Sequence, residues 1–157
     1  MKPPNAVALD TIAVSFDEAC DFIRLWHRHH APPQGYKYVF GVCVEATGEL
    51  VGVAIIGRPV NRYLQDGRTL EVTRVAVADD VPGACSKLYA EAWHGVKAFG
   101  WKRLITYTQA DESGSSLRAL KWRVIAELPP RGSWDTPGRR RLPKGNEHVA
   151  RTLWEAA

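Results

Sequence analysis

A chain of 157 residues, 45% apolar and 24% charged, has the size and balance of one soluble domain and is too apolar for wholesale disorder. No apolar run approaches the roughly 20 residues of a membrane-crossing helix, and no signal-type apolar core follows Met1-Lys2-Pro3-Pro4-Asn5, so a cytoplasmic protein without a membrane partner is expected. The net charge of +4 is unevenly held: residues 1–100 carry 10 basic and 11 acidic side chains, and residues 101–157 carry 11 basic and 6 acidic.

Ile12-Ala13-Val14-Ser15 reads as a short first strand. Asp17 stands where an N-cap belongs, and Phe22, Ile23, Leu25 and Trp26 supply the apolar face of a helix over about 17–30. Pro32-Pro33-Gln34-Gly35 breaks it. Tyr38, Phe40, Val42 and Val44 alternate as a strand should, and Leu50 to Ile56 is a nearly continuous apolar run. Thr47-Gly48-Glu49 joins the two as a hairpin. The polar, Gly-bounded stretch 57–68 reads as a loop or one helical turn. Thr69 to Val77 is a third strand, whose alternation puts Glu71, Thr73 and Val75 on one face and Leu70, Val72, Arg74 and Ala76 on the other.

After Pro82-Gly83 the period becomes helical. Cys85, Leu88, Ala92, Val96 and Phe99 form one stripe, and Gly100 is the expected C-cap. Arg103 to Thr108 is the next strand, Ser115 to Leu120 a short helix, and Trp122 to Glu127 another strand. A Pro-, Gly- and Arg-rich segment at about 129–146 precedes a final strand near Val149–Trp154. Cys20, Cys43 and Cys85 fit neither a disulfide framework nor a paired-cysteine metal site, and read as buried reduced thiols. The order β-α-β-β-β-α-β-α-β-(β) implies an α/β (α+β) architecture, one domain over 1–157. Its mixed, largely antiparallel twisted sheet is flanked by helices.

From about residue 10 to 127 this order resembles the GNAT acyltransferase fold. The strongest stretch runs from Leu70-Glu71-Val72-Thr73-Arg74-Val75-Ala76-Val77 into the helix ending near Phe99. It is similar to that family's core strand and pyrophosphate-binding helix. Ile105-Thr106-Tyr107 and Leu117-Arg118-Ala119 resemble the strand and helix that follow. The resemblance implies a transferase placing an acyl or related small group on a nitrogen. Glu71 would be the general base, and Tyr107 or its rival Ser116 would protonate the leaving thiolate, with Ser86 nearby. A small-molecule donor, acetyl-CoA or another acyl-CoA, would lie along Val75 and Val77 and on the amides of Gly83, Ala84, Cys85 and Ser86. The family's helix entry is usually Arg or Gln, two residues, Gly, one residue, then Gly or Ala. Here it is Asp80-Val81-Pro82-Gly83-Ala84-Cys85, where Asp80 is acidic and Pro82 lacks an N–H, so the donor stays open. Such domains also dimerise through their late strands.

A set of short pieces is similar to the Mom family of phage DNA-modification proteins, which have the GNAT fold and alter adenine in DNA. They are Gly41-Val42, Leu50-Val51-Gly52-Val53-Ala54, Gly57-Arg58-Pro59, Glu71-Val72-Thr73-Arg74, Ala84-Cys85-Ser86 and Ile105-Thr106-Tyr107. That likeness implies a nucleic-acid partner and no conventional use of acetyl-CoA. A third reading is an inactive GNAT fold that binds nucleic acid or protein.

Other residues carry chemistry by type and spacing. Glu71 is costly to bury in an apolar strand without a purpose, the plain alternative being a pair with Arg74 or Arg68. His27 and His30 share a helix face at a spacing that suits a metal or an acceptor wall, with Tyr36 close in sequence; the plain alternative is a polar helix end. Ser86 also reads as a helix cap. Arg139, Arg140 and Arg141, near Trp134, suit phosphate contact with base stacking, or form a solvated charge run.

Overall fold

The computed structural model describes residues 7–26, 31–79, 81–130 and 149–157. Within them lie β1 (Leu9–Ile12), α1 (Phe16–Trp26), β2 (Tyr38–Val44), β3 (Leu50–Gly57), β4 (Thr69–Val77), α2 (Ala84–Ala98), β5 (Arg103–Gln109), α3 (Ser115–Ala119), β6 (Arg123–Leu128) and β7 (Arg151–Glu155). The strands form one sheet in the order β1-β2-β3-β4-β5-β7-β6. Every neighbouring pair is antiparallel except β4 and β5. No helix among the described residues is long and apolar enough to cross a membrane.

The sheet buries both faces. On one, Leu88, Tyr89, Ala92 and Val96 of α2 and Leu117 of α3 pack over Val42, Ala54, Ile56, Leu70, Val72, Leu104 and Trp154. On the other, Ala19, Phe22 and Ile23 of α1 cover Val53, Ile55 and Ala76. Apolar residues on both sides of β3 explain its continuous hydrophobic run.

The expected elements are all present, with local corrections. The first strand is Leu9–Ile12, not 12–15, because Ser15 already caps α1. Its backbone N–H donates to Glu18 Oε1 (3.1 Å) and its Oγ accepts from Glu18 N (3.1 Å), a reciprocal capping box that displaces Asp17 from the N-cap. Leu25 is 74% exposed and points away from the core that Phe22 and Ile23 enter. Phe99 likewise lies outside the α2 stripe at 69% exposure, and Ala84 and Tyr89 take the buried positions. Gly100 (φ 99°) does end α2: its N–H donates to Lys97 O, and Trp101 N–H donates to Val96 O. That Schellman arrangement needs the left-handed residue. Residues 62–64 make the single helical turn. The three cysteines are free, Cys20 and Cys43 buried and Cys85 half-buried.

The largest correction concerns β4. Ile55 pairs with Arg74 while Ile56 pairs with Val72, so Thr73 is an extra residue bulged from the ladder. The alternation therefore changes phase there. Leu70, Val72, Val75 and Val77 all meet the α2 side. Ala76 meets the α1 side, and Arg74, two residues before it, shares that face with Glu71. Strict alternation had separated Glu71 from Arg74 and placed Val75 with Glu71; the bulge reverses both.

Candidate active site

β4 and β5 pair over only three positions, Thr69↔Arg103, Leu70↔Leu104 and Glu71↔Ile105. Thr106 Oγ1 still donates to Val72 O at 3.1 Å, and beyond it the strands part. The bulge at Thr73 bends β4 toward β3, while β5 follows β7, so the split opens where the parallel ladder ends. Glu71 sits at its apex, 6% exposed.

One Glu71 oxygen, Oε1, accepts the Val60 backbone N–H at 3.1 Å. Burial raises the Glu71 pKa from 4.5 to about 7, against the pull of the Val60 N–H and of the Arg74 and Arg151 guanidiniums. Val60 is held in place by its own loop. Asn61 Oδ1 accepts from Tyr63 N (3.0 Å), Gln65 Nε2 donates to Pro59 O (2.7 Å), and Asp66 accepts the N–H groups of Arg68 (2.8 Å) and Thr69 (2.9 Å). Arg74 and Arg68 make no direct ion pair with Glu71 among the described residues, although the Arg74 charge is felt there. Arg74 Nε donates to Ala31 O (2.8 Å) and its Nη1 to Thr73 O (2.7 Å), spending the guanidinium on backbone carbonyls.

Tyr107 lies two residues beyond Ile105 on β5 and therefore on the face of Glu71. It is half-buried, with the Arg151 guanidinium 5.0 Å from its ring centroid. Arg151 carried no signal in the sequence. It stands 80 residues from Glu71, and only the insertion of β7 between β5 and β6 brings it to the split. On the opposite face, Tyr89 and Thr106 share a side-chain hydrogen bond, and burial pushes the Tyr89 phenol well above its ordinary range.

Beyond the split lies the start of α2. Gly83 is its N-cap in the left-handed region (φ 83°) and no side chain caps the helix, which excludes the capping role read for Ser86. Ala84 is buried, and Cys85 and Ser86 are half-buried in the first turn. Burial raises the Cys85 thiol pKa, and a hydrogen bond with Ser116 opposes that, so Ser116 sits at the helix start. Val75 and Val77 lie on β4 past the bulge, their side chains against the α2-side core.

The remaining expectations divide in two. Tyr36 is 52% exposed and stacks on Phe16 at 4.3 Å between ring centroids. His27, His30, Asp80, Arg139, Arg140 and Arg141 lie outside the described residues. Among the described residues no group of three His, Cys, Asp or Glu side chains is placed to hold a metal ion.

No family model and no curated protein matches the chain. Solved structures do. An N-acetyltransferase from Staphylococcus aureus Mu50 has a TM-score of 0.64 at 12% identity, over 94% of this chain and 97% of its own. The ribosomal-protein-S18-alanine N-acetyltransferase from Escherichia coli also scores 0.64 at 12% identity, over 95% and 93%. The IAA acetyltransferase from Bacillus cereus scores 0.61 at 16% identity, over 95% and 99%. The fold is that of the GNAT N-acetyltransferases. Within this GNAT fold the bulged β4, the parting of β4 from β5 and the uncapped α2 are consecutive along the chain. One buried carboxylate lies where the strands divide.

Proposed function

We propose that the protein moves an acyl group from an acyl-CoA to an amine, with Glu71 as the general base. The observation that carries this is the single buried carboxylate at the apex of the β4–β5 split, titrating near neutrality and held by one backbone N–H. The fold shared with N-acetyltransferases supports it. The entry of α2 fits a diphosphate in part. Pro82 has no N–H to offer, and the Ala84 N–H donates to Val81 O at 3.4 Å, which takes the Ala84 amide out of the expected cradle. The helix carries no side-chain cap, so its dipole still favours an anion at this end. Val75 and Val77 lie on the part of β4 that has left β5, whose backbone edge suits the amides of a pantetheine arm.

In this reading Glu71 takes the proton of an acceptor ammonium, and the freed nitrogen lone pair attacks the thioester carbonyl. The new C–N bond forms, giving a tetrahedral intermediate whose nitrogen still carries one surplus proton. The C–S bond breaks, and the sulfur leaves as a thiolate that accepts a proton from the Tyr107 hydroxyl or from water. The surplus proton on nitrogen passes to the phenolate or hydroxide so formed. The amide and free coenzyme A are the products.

Coenzyme A is therefore expected to raise the melting temperature, and acetyl-CoA with a panel of small primary amines to release free thiol. No thermal shift with coenzyme A and no thiol release with any amine would overturn the reading.

A further inference from the structure

This inference rests on the reading just given and concerns the acceptor. Two guanidiniums, those of Arg74 and Arg151, act on the Glu71 carboxylate. Arg74 is spent on the Ala31 and Thr73 carbonyls. The direct ion pairs among the described residues are Arg24–Asp21, Lys87–Glu91, Arg103–Glu155 and Arg123–Glu155, and none involves Arg151. Arg151 is nevertheless half-buried, its guanidinium over the Tyr107 ring at 5.0 Å from the centroid. Ring stacking uses the face of a guanidinium and leaves its in-plane N–H groups for a forked contact with a carboxylate or phosphate. Among the described residues no carboxylate forms a direct ion pair with this half-buried guanidinium.

We propose that Arg151, stacked on Tyr107 beside Glu71, binds an anionic group carried by the amine acceptor itself. The acceptor is an amine bearing a carboxylate or a phosphate. Amino acids and aminoalkyl phosphates are the simplest amines of this kind.

The test uses the full chain with Arg151→Gln and Arg151→Lys. Thiol release from acetyl-CoA is compared for glycine against glycinamide and for O-phosphoethanolamine against ethanolamine. The charged member of one pair is expected to be preferred on the order of 10- to 100-fold in kcat/KM. Which pair shows the preference separates carboxylate from phosphate. Arg151→Gln is expected to remove that preference through KM, over and above any change shared by both amines of a pair because Arg151 also acts on Glu71. Arg151→Lys is expected to keep part of the preference. Preference for the uncharged amines, or an equal loss on both members, overturns the proposal. An unchanged thermal shift with coenzyme A in Arg151→Gln checks that the fold and donor site are intact. Should no amine be acylated, the function above fails and the anion site is read alone. The Arg151 Nε–H resonance, identified by its loss in Arg151→Lys, is expected to move on titration with acetate or inorganic phosphate. Its failure to move with either overturns the inference independently.

Discussion

At the scale of single residues, Glu71 joins two properties that oppose each other. Its pKa of about 7 reflects burial, so it is a base only once pH has risen through that value. With wild type, kcat/KM is expected to climb with pH and level off above about 7. Glu71→Gln should cut kcat by about 100- to 10,000-fold and remove that limb, read from steady-state thiol release. Stability runs the other way. A folded-state pKa raised above the ordinary 4.5 means that the associated stability is complete below 4.5 and is lost as pH rises through 7. The loss is on the order of 3 kcal/mol. Glu71→Gln keeps an acceptor for the Val60 N–H and has no charge to desolvate. Its melting temperature should therefore gain on that of wild type between pH 5 and pH 8, measured by calorimetry in matched buffers. Glu71 as a candidate was legible because a carboxylate interrupts an apolar strand. Its partners were not: the Val60 N–H is a backbone group, Arg151 comes from a distant strand, and Arg74 changes face at a bulge that leaves no mark in the hydrophobic pattern.

At the scale of elements, periodicity exposed what packing repeats and hid what packing interrupts. The helices and strands came from spacing. The capping box at Ser15 and Glu18 was readable as well, since Ser-x-x-Glu before an apolar run is its signature, yet the nearer Asp17 obscured it. Leu25 and Phe99 show the limit, since an apolar side chain near a helix end shares the spacing of the stripe without meeting the sheet. Close approach also leaves a trace. A Cβ on Gly41 would lie 2.2 Å from Val14 Cγ2 and 2.9 Å from the Ile12 carbonyl oxygen, so β1 and the segment after it press on β2 at that point. Gly41→Ala should cost about 1–3 kcal/mol in urea unfolding as β1 is pushed away. Gly35→Ala is the control: nothing lies within 4 Å of its Cβ, and its stability should be nearly unchanged.

At the scale of the whole molecule, β7 holds the late half of the sheet together. It lies between β5 and β6, buries Trp154, and carries Glu155, which contacts Arg103 of β5 and also Arg123 of β6 at 2.7 Å. Trp154 Nε1 donates to Thr108 Oγ1 at 2.9 Å, a buried bond across the same seam. A chain ending at residue 150 should lose cooperative thermal unfolding and expose apolar surface to a hydrophobic dye. Coenzyme A is not expected to rescue it.

The order of the strands also has a meaning in time. Ribosomes release β5 and β6 before β7, and the two are not paired with each other. A nascent chain that has emerged only as far as Leu128 therefore shows the edge of β5, including Ile105 and Tyr107, to every other chain in the polysome. Exposed strand edges of this kind pair with neighbouring chains unless chaperones cover them. The guanidinium that stands over Tyr107 arrives on the strand that ends this exposure. One strand of five residues thus both covers the edge of β5 and brings Arg151 to Tyr107.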